Sequence, residues 1–331
     1  MNLEGFGVKT KEKTKATTEN FATKEANIVS LKWIVCEPNN FKKGGEVKSN
    51  KAVIFLPGVA LEADSPSVVE SAQDFANASK TITYAISTRT DDSKIKNSQV
   101  AQAEVIHQFI TNHNLQEVTL VGHSQGANKS MDLAAQLEKA GIYVRGLILT
   151  NPAGLYEQDS RKIITNFAKD ALVNTAPGWF KKGGSLKAAG RSLQVGASAG
   201  ANIIKEIVTA PDEFIDRATR EADEASALNK SAAEIKAPVV VIFGADDIVF
   251  DPKKVILDND AHELDDDYDK RLESQNKRIE ALRKILPNSS AIEVLEATKL
   301  SAHGLHYSRS QTVANASVEM LNRIEKSFEV K

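Results

Sequence analysis

From residue 51 onward, short apolar segments alternate with longer amphipathic ones. Residues 52–56, 81–86, 118–121, 144–149, 238–243 and 291–295 are rich in Val, Ile, Leu and Phe, at a length that predicts buried strands. Between them lie stretches of helical periodicity. Residues 67–79 space Val68, Val69, Ala72, Phe75 and Ala76 along one face, and 99–113 turn Val100, Ala103, Ile106 and Phe109 inward. Residues 127–140 form a third helix, and 308–328 a last one striped by Val313, Val318, Leu321 and Ile324. Apolar strands joined by helices imply parallel strands covered on both faces. Right-handed crossovers then give an α/β protein with a doubly wound, mostly parallel sheet.

Two regions depart from this rhythm. Upstream, residues 27–35 alternate, with Leu31, Trp33 and Val35 on one face, as in a half-buried strand. The Lys- and Thr-rich first thirty residues read as an edge hairpin or a solvated tail, and 39–50 as a turn. Residues 154–236 contain no buried-strand pattern. They read as helices at 161–173 and 202–227 around a Gly/Lys-rich loop (177–184) and an Ala/Gly-rich stretch (188–201). A further segment, 258–286, is acidic at first and then amphipathic.

Composition narrows the function classes. The 331 residues carry 42 Lys and Arg against 44 Asp and Glu, a net charge of −2, so no global basic field favours nucleic acid or an anionic membrane. Mean hydropathy is −0.30, and no apolar run reaches the length of a membrane span. The first residues lack the apolar core of a signal peptide, so a cytoplasmic location is expected. Cys36 stands alone, which excludes an internal disulfide and a cysteine metal cluster.

The chemistry-bearing pattern is Gly122-His123-Ser124-Gln125-Gly126, a G-x-S-x-G sequence following a predicted strand and opening a predicted helix. In a nucleophile elbow of this kind the serine sits in a strained turn at a helix N-terminus, where developing negative charge is favoured. A second match, Gly196 to Gly200 around Ser198, follows no buried strand and reads as small residues that allow close packing. Ser124 is therefore the expected nucleophile.

This arrangement resembles the α/β-hydrolase fold superfamily over residues 45–331, in its capped serine-hydrolase, esterase- or lipase-like form. The resemblance implies a hydrolase core of residues 1–153 and 237–331, with a helical cap of 154–236 inserted after the sixth strand. It also implies the chain order Ser, acid, His. The acid falls at Asp247 in Gly244-Ala-Asp-Asp247, with Asp246 and then Asp251 as alternatives. Asn151, at the other position used in the family, is an amide. The base falls at His303 in Ala302-His303-Gly304, with His306 as competitor. The oxyanion-hole amides fall at Gln125, directly after the nucleophile, and at Val59 in Pro57-Gly58-Val59, where the family's usual His-Gly is absent.

The expected activity is cleavage of a small-molecule carboxylic ester through an acyl-enzyme, with no cofactor and no metal. Thioester, amide or carbon–carbon cleavage, acyl transfer and perhydrolysis on the same triad stay open, as does a non-catalytic binding protein on this scaffold. Trp179, Phe180, Leu186, Leu193, Val195, Ile203 and Ile204 would either line an acyl pocket or form the cap's own core. The histidines elsewhere read as packing or surface residues, and His262 opens an acidic run without calcium-loop spacing.

Overall fold

A computed structural model describes residues 16–23, 28–39, 50–59, 61–89, 98–169, 211–244, 247, 249, 268–297 and 310–329. Eight strands form one sheet: β1 (Thr17–Ala22), β2 (Ile28–Cys36), β3 (Lys51–Leu56), β4 (Thr83–Arg89), β5 (Glu117–His123), β6 (Tyr143–Thr150), β7 (Val239–Gly244) and β8 (Ile292–Ala297). Their order is β1-β2-β4-β3-β5-β6-β7-β8. β1 and β2 pair antiparallel, as do β2 and β4, and every other neighbouring pair is parallel. The helices are α1 (Pro66–Ser79), α2 (Ser98–Asn112), α3 (Gln125–Lys139), α4 (Ser160–Lys169), α5 (Pro211–Ser226), α6 (Tyr268–Ile285) and α7 (Ser310–Glu329).

Both faces of the sheet are covered, and the two-residue period of the strands sends alternate side chains to opposite cores. On one side Ile54, Leu56, Leu120, Val239 and Val241 pack with α2, α3 and α6. On the other Val53, Phe55, Val121, Val240 and Ile242 pack with α1 and α7. Two-sided burial is why these strands read as unbroken apolar runs. β3 lies between β4 and β5, and the helices that follow β3 and β5 go to opposite faces. The chain order therefore reverses there, opening a crevice at the carboxyl ends of β3 and β5, the general ligand position of open α/β sheets.

Within the described residues the predicted strands and helices are present, with local differences, and the turn expected at 39–50 falls mostly outside them. Residues 17–22 of the N-terminal segment form an edge strand, β1 lying antiparallel and in register on β2 from Thr17 opposite Trp33 to Ala22 opposite Ile28. β2 is covered on both faces toward its end, because α1 reaches it: Ile34 and Cys36 are buried in the second core, while Leu31 and Trp33 pack into the first. Val100 points outward at 46% exposure, and Gln99 and Gln102 take the buried stripe of α2 in its place. Residues 170–210, with the Ser198 motif and the seven apolar residues named for an acyl pocket, lie outside the described residues, as does His262. Among the described residues no helix is long and apolar enough to cross a membrane.

Candidate active site

β5 ends at His123 and α3 begins at Gln125, so one residue makes the whole turn. Ser124 adopts φ 55° and ψ −123°, the first central position of a type II′ turn, which glycine normally takes. Three backbone bonds lock it there: its N–H donates to Thr150 O (3.0 Å), and its carbonyl accepts from Ala127 N (3.0 Å) and Ala153 N (3.1 Å). The flanking glycines allow the close approach. A Cβ on Gly122 would lie 2.5 Å from Ala127 Cα and from Ser130 Oγ. One on Gly126 would overlap the Leu56 carbonyl oxygen and stand 2.6 Å from that of Pro57. The 57–59 loop thus presses directly on the start of α3.

That contact brings together three of the expected site residues. A Cβ built on Gly58 would stand 3.2 Å from Ser124 Cβ, and Val59 and Gln125 line one cleft of about 60 Å³ beside it. Gln125 is the first residue of α3, so its N–H has no partner within the helix, and the first turn carries no acidic side chain to offset the positive end of the helix dipole. The backbone at this point is suited to holding an anion.

Asp247 follows β7 on the same carboxyl edge of the sheet and is 3% exposed. Its N–H donates to Gly244 O (3.0 Å), and its Oδ1 accepts from Val249 N (2.8 Å). Val249 is itself buried with Ala153, Ile163 and Ala225, so α4 and α5 hold the loop that carries the carboxylate. Asn151, excluded as the acid on chemical grounds, has a structural task. At φ 43° its Oδ1 accepts from Gly244 N (2.7 Å) and its N–H donates to Ile242 O (2.8 Å), joining the ends of β6 and β7. His303, His306, Asp246 and Asp251 lie outside the described residues.

One residue escaped the reading of the sequence. Lys129 lies one turn into α3 from Gln125 and lines the same cleft, along with Ser87, Thr88 and Glu221. Burial lowers its pKa, while the charges of Glu221 and Glu224 pull in the opposite direction. The signal was the i, i+4 spacing, because helical side chains lean toward the N-terminus and a lysine there leans back toward the elbow. On the next turn Asp132 is buried, and its carboxyl pKa is raised by desolvation against hydrogen bonds from Ser231 and Asn229. Among the described residues no group of three His, Cys, Asp or Glu side chains could hold a metal ion.

The model of the family described as "Serine aminopeptidase, S33" matches residues 97–284. A search of curated proteins finds no match. Among solved structures, a probable hydrolytic enzyme from Pseudomonas aeruginosa PAO1 superposes with a TM-score of 0.57 at 13% identity, over 92% of this chain and 93% of that one. An esterase from Rhodococcus sp. gives 0.55 at 14% identity (93% and 99%), and a bromoperoxidase from Bacillus anthracis 0.53 at 14% (93% and 100%). These likenesses are of fold, and all are to α/β-hydrolase structures.

Proposed function

The chain belongs to the serine aminopeptidase S33 family of hydrolases, and from that premise we propose that it is a serine hydrolase cleaving a carboxylic ester through an acyl-enzyme. The observation that carries the reading is the conformation of Ser124: a serine, not a glycine, held at φ 55° between β5 and α3. Backbone strain of this kind persists where function over-determines it.

In this mechanism His303 removes the Ser124 hydroxyl proton as Oγ attacks the ester carbonyl. Asp247 orients the imidazole with the carboxylate oxygen not engaged by Val249 N–H, and its charge stabilises the imidazolium. The N–H groups of Val59 and Gln125, with the positive end of α3 behind them, receive the oxyanion. His303 returns the proton to the leaving alcohol, then takes one from water as hydroxide attacks the acyl-enzyme, and restores it to Ser124. None of these steps draws on a cofactor. Residues 154–236 act as a cap over this edge of the sheet. In support, α4 and α5 pack on each other, Gln125 Nε2 donates to Glu221 O (3.4 Å), and Asn128 Nδ2 donates to Glu224 O (3.1 Å).

The test is a fluorophosphonate probe, followed by peptide mapping. It should label Ser124 and fail on Ser124→Ala, which should also lose hydrolysis of 4-nitrophenyl esters. Labelling of Ser198, or full activity in Ser124→Ala, would overturn the assignment.

A further inference from the structure

The cleft beside Ser124 has the wrong chemistry for a plain alkyl chain. Its rim combines Pro57, Gly58 and Val59 with the polar groups of Ser87, Gln125, Lys129 and Glu221. Lys129 is half-buried, and it feels Glu221 and Glu224 through space, with no hydrogen bond or ion pair to either. Glu224 is already engaged, accepting from both the backbone N–H and the hydroxyl of Ser98 (2.7 Å each). Among the described residues no carboxylate pairs directly with this ammonium, and a desolvated charge held that way is costly to keep in a fold. Thr88 is also engaged, its hydroxyl donating to Gln102 Oε1 (2.6 Å). Ser87 Oγ accepts from Ala63 N (2.9 Å), which leaves the hydroxyl proton able to turn toward the cleft. The Lys129 ammonium and the Ser87 hydroxyl are therefore the side-chain donors offered to the cleft, and Glu221 supplies the one carboxylate among the lining side chains.

We propose that this cleft binds an anionic group of the substrate on the Lys129 ammonium, so that the chain acts on esters carrying a carboxylate a few bonds from the reacting carbonyl. The distance follows from helix geometry: Lys129 lies one turn from Gln125, whose N–H is assigned to the oxyanion, so both groups serve one small molecule. Glu221 acts as the counter-charge that a substrate carboxylate replaces. The assignment rests on Ser124 as nucleophile but uses a group outside the triad.

Two pairs of esters test it: 4-nitrophenyl hydrogen glutarate against 4-nitrophenyl pentanoate, and 4-acetoxybenzoate against methyl 4-acetoxybenzoate. At least one carboxylate-bearing member should exceed its neutral partner at least tenfold in kcat/KM. Lys129→Met should abolish that preference with little change for the neutral esters, and Lys129→Arg should restore part of it. Lys129→Met should also unfold at a higher temperature than the parent, the opposite of what a structural role predicts. Equal rates within both pairs, or a preference that survives Lys129→Met, would overturn the proposal. Calorimetric titration with glutarate separates this failure from failure of the hydrolase reading. Binding that weakens at least tenfold in Lys129→Met supports the anion site even if no fluorophosphonate labels Ser124. Labelling at Ser124 without glutarate binding, or with binding indifferent to residue 129, sinks the anion site alone.

Discussion

The backbone at Ser124 makes a prediction about stability that is independent of substrate. At φ 55° and ψ −123° any side chain with a Cβ is strained, at a cost of about 1–3 kcal/mol. At an ordinary site, glycine is less favourable than alanine by about 0.5–1 kcal/mol, because it frees the unfolded chain. Ser124→Ala and Ser124→Gly both remove the hydroxyl, so their difference isolates the backbone. The strain relieved in the glycine variant exceeds its entropic cost, and Ser124→Gly should be more stable than Ser124→Ala by about 0.5–2 kcal/mol. With an unfolding entropy of about 2.1 cal/mol/K per residue, this corresponds to a difference of about 1–3 °C in Tm for a chain of this length. Differential scanning calorimetry of the two variants at one scan rate reads it directly, and the fluorophosphonate should label neither. An alanine variant as stable as the glycine variant, or more so, would show that the turn stores no strain and remove the observation on which the functional reading rests.

Other positions give further expectations. Gly126→Ala places a methyl group inside the Leu56 carbonyl and should cost about 1–3 kcal/mol in urea titration, with slower labelling of Ser124 as the 57–59 loop is displaced. Asp247→Asn should lower turnover by orders of magnitude because the amide favours the wrong imidazole tautomer, whereas Asp246→Asn should cost far less; the reverse order would move the acid by one residue. Burial raises the Asp132 pKa, so the native state holds more protons than the unfolded chain between the ordinary aspartate value near 3.9 and the raised one. Stability should therefore fall as pH rises through that window and then level off, and Asp132→Asn should remove the slope. Burial pushes the Cys36 thiol up to about 12, so a disulfide reagent at pH 8 should react with it only after denaturation.

How much of this was legible in the sequence differs with the physics of each part. Strands buried on two faces announce themselves as apolar runs, which is why β3, β5 and β7 were readable to within a residue or two. The turn at Ser124 was legible because its glycines answer local contacts made within a few residues and with one neighbouring loop. Val100 was misplaced because it is apolar but one position off the stripe that Ala103, Ile106 and Phe109 define, and two glutamines hold the buried positions. Lys129 was missed because its meaning depends on β4 and α5, which reach the cleft from elsewhere in the chain. Asn151 was read for the acid it could not be. Its side-chain Oδ1 bridges two strand ends only once the sheet has set β6 beside β7.

Residues 154–236 are joined to the rest of the fold at both of their ends. Gly154 O accepts from Asn229 N (2.8 Å), so the two ends of the segment meet. They meet on α3: Asn229 Nδ2 donates to Asn128 O (3.0 Å) and to Asn128 Oδ1, while a Cβ on Gly154 would crowd that same side chain. Gln158 N then donates to Ser226 O (2.8 Å), and Glu224 reaches α2 through Ser98. The first and last turns of the segment are thus part of the packing that fixes the helix carrying Ser124 at its N-terminus. A deletion made at 154 and 236 removes Asn229 and leaves buried polar groups of Asn128 without partners, at a cost of about 1–3 kcal/mol for each buried group left unsatisfied. One made between 170 and 210 keeps the Asn128–Asn229 clamp, the packing of α4 on Val249, and the Glu221 and Glu224 contacts. The two deletions therefore separate a cap's effect on substrate choice from its effect on the helix beneath it: the shorter one should leave Ser124 labelling intact while altering ester preference, and the longer one should slow labelling as well.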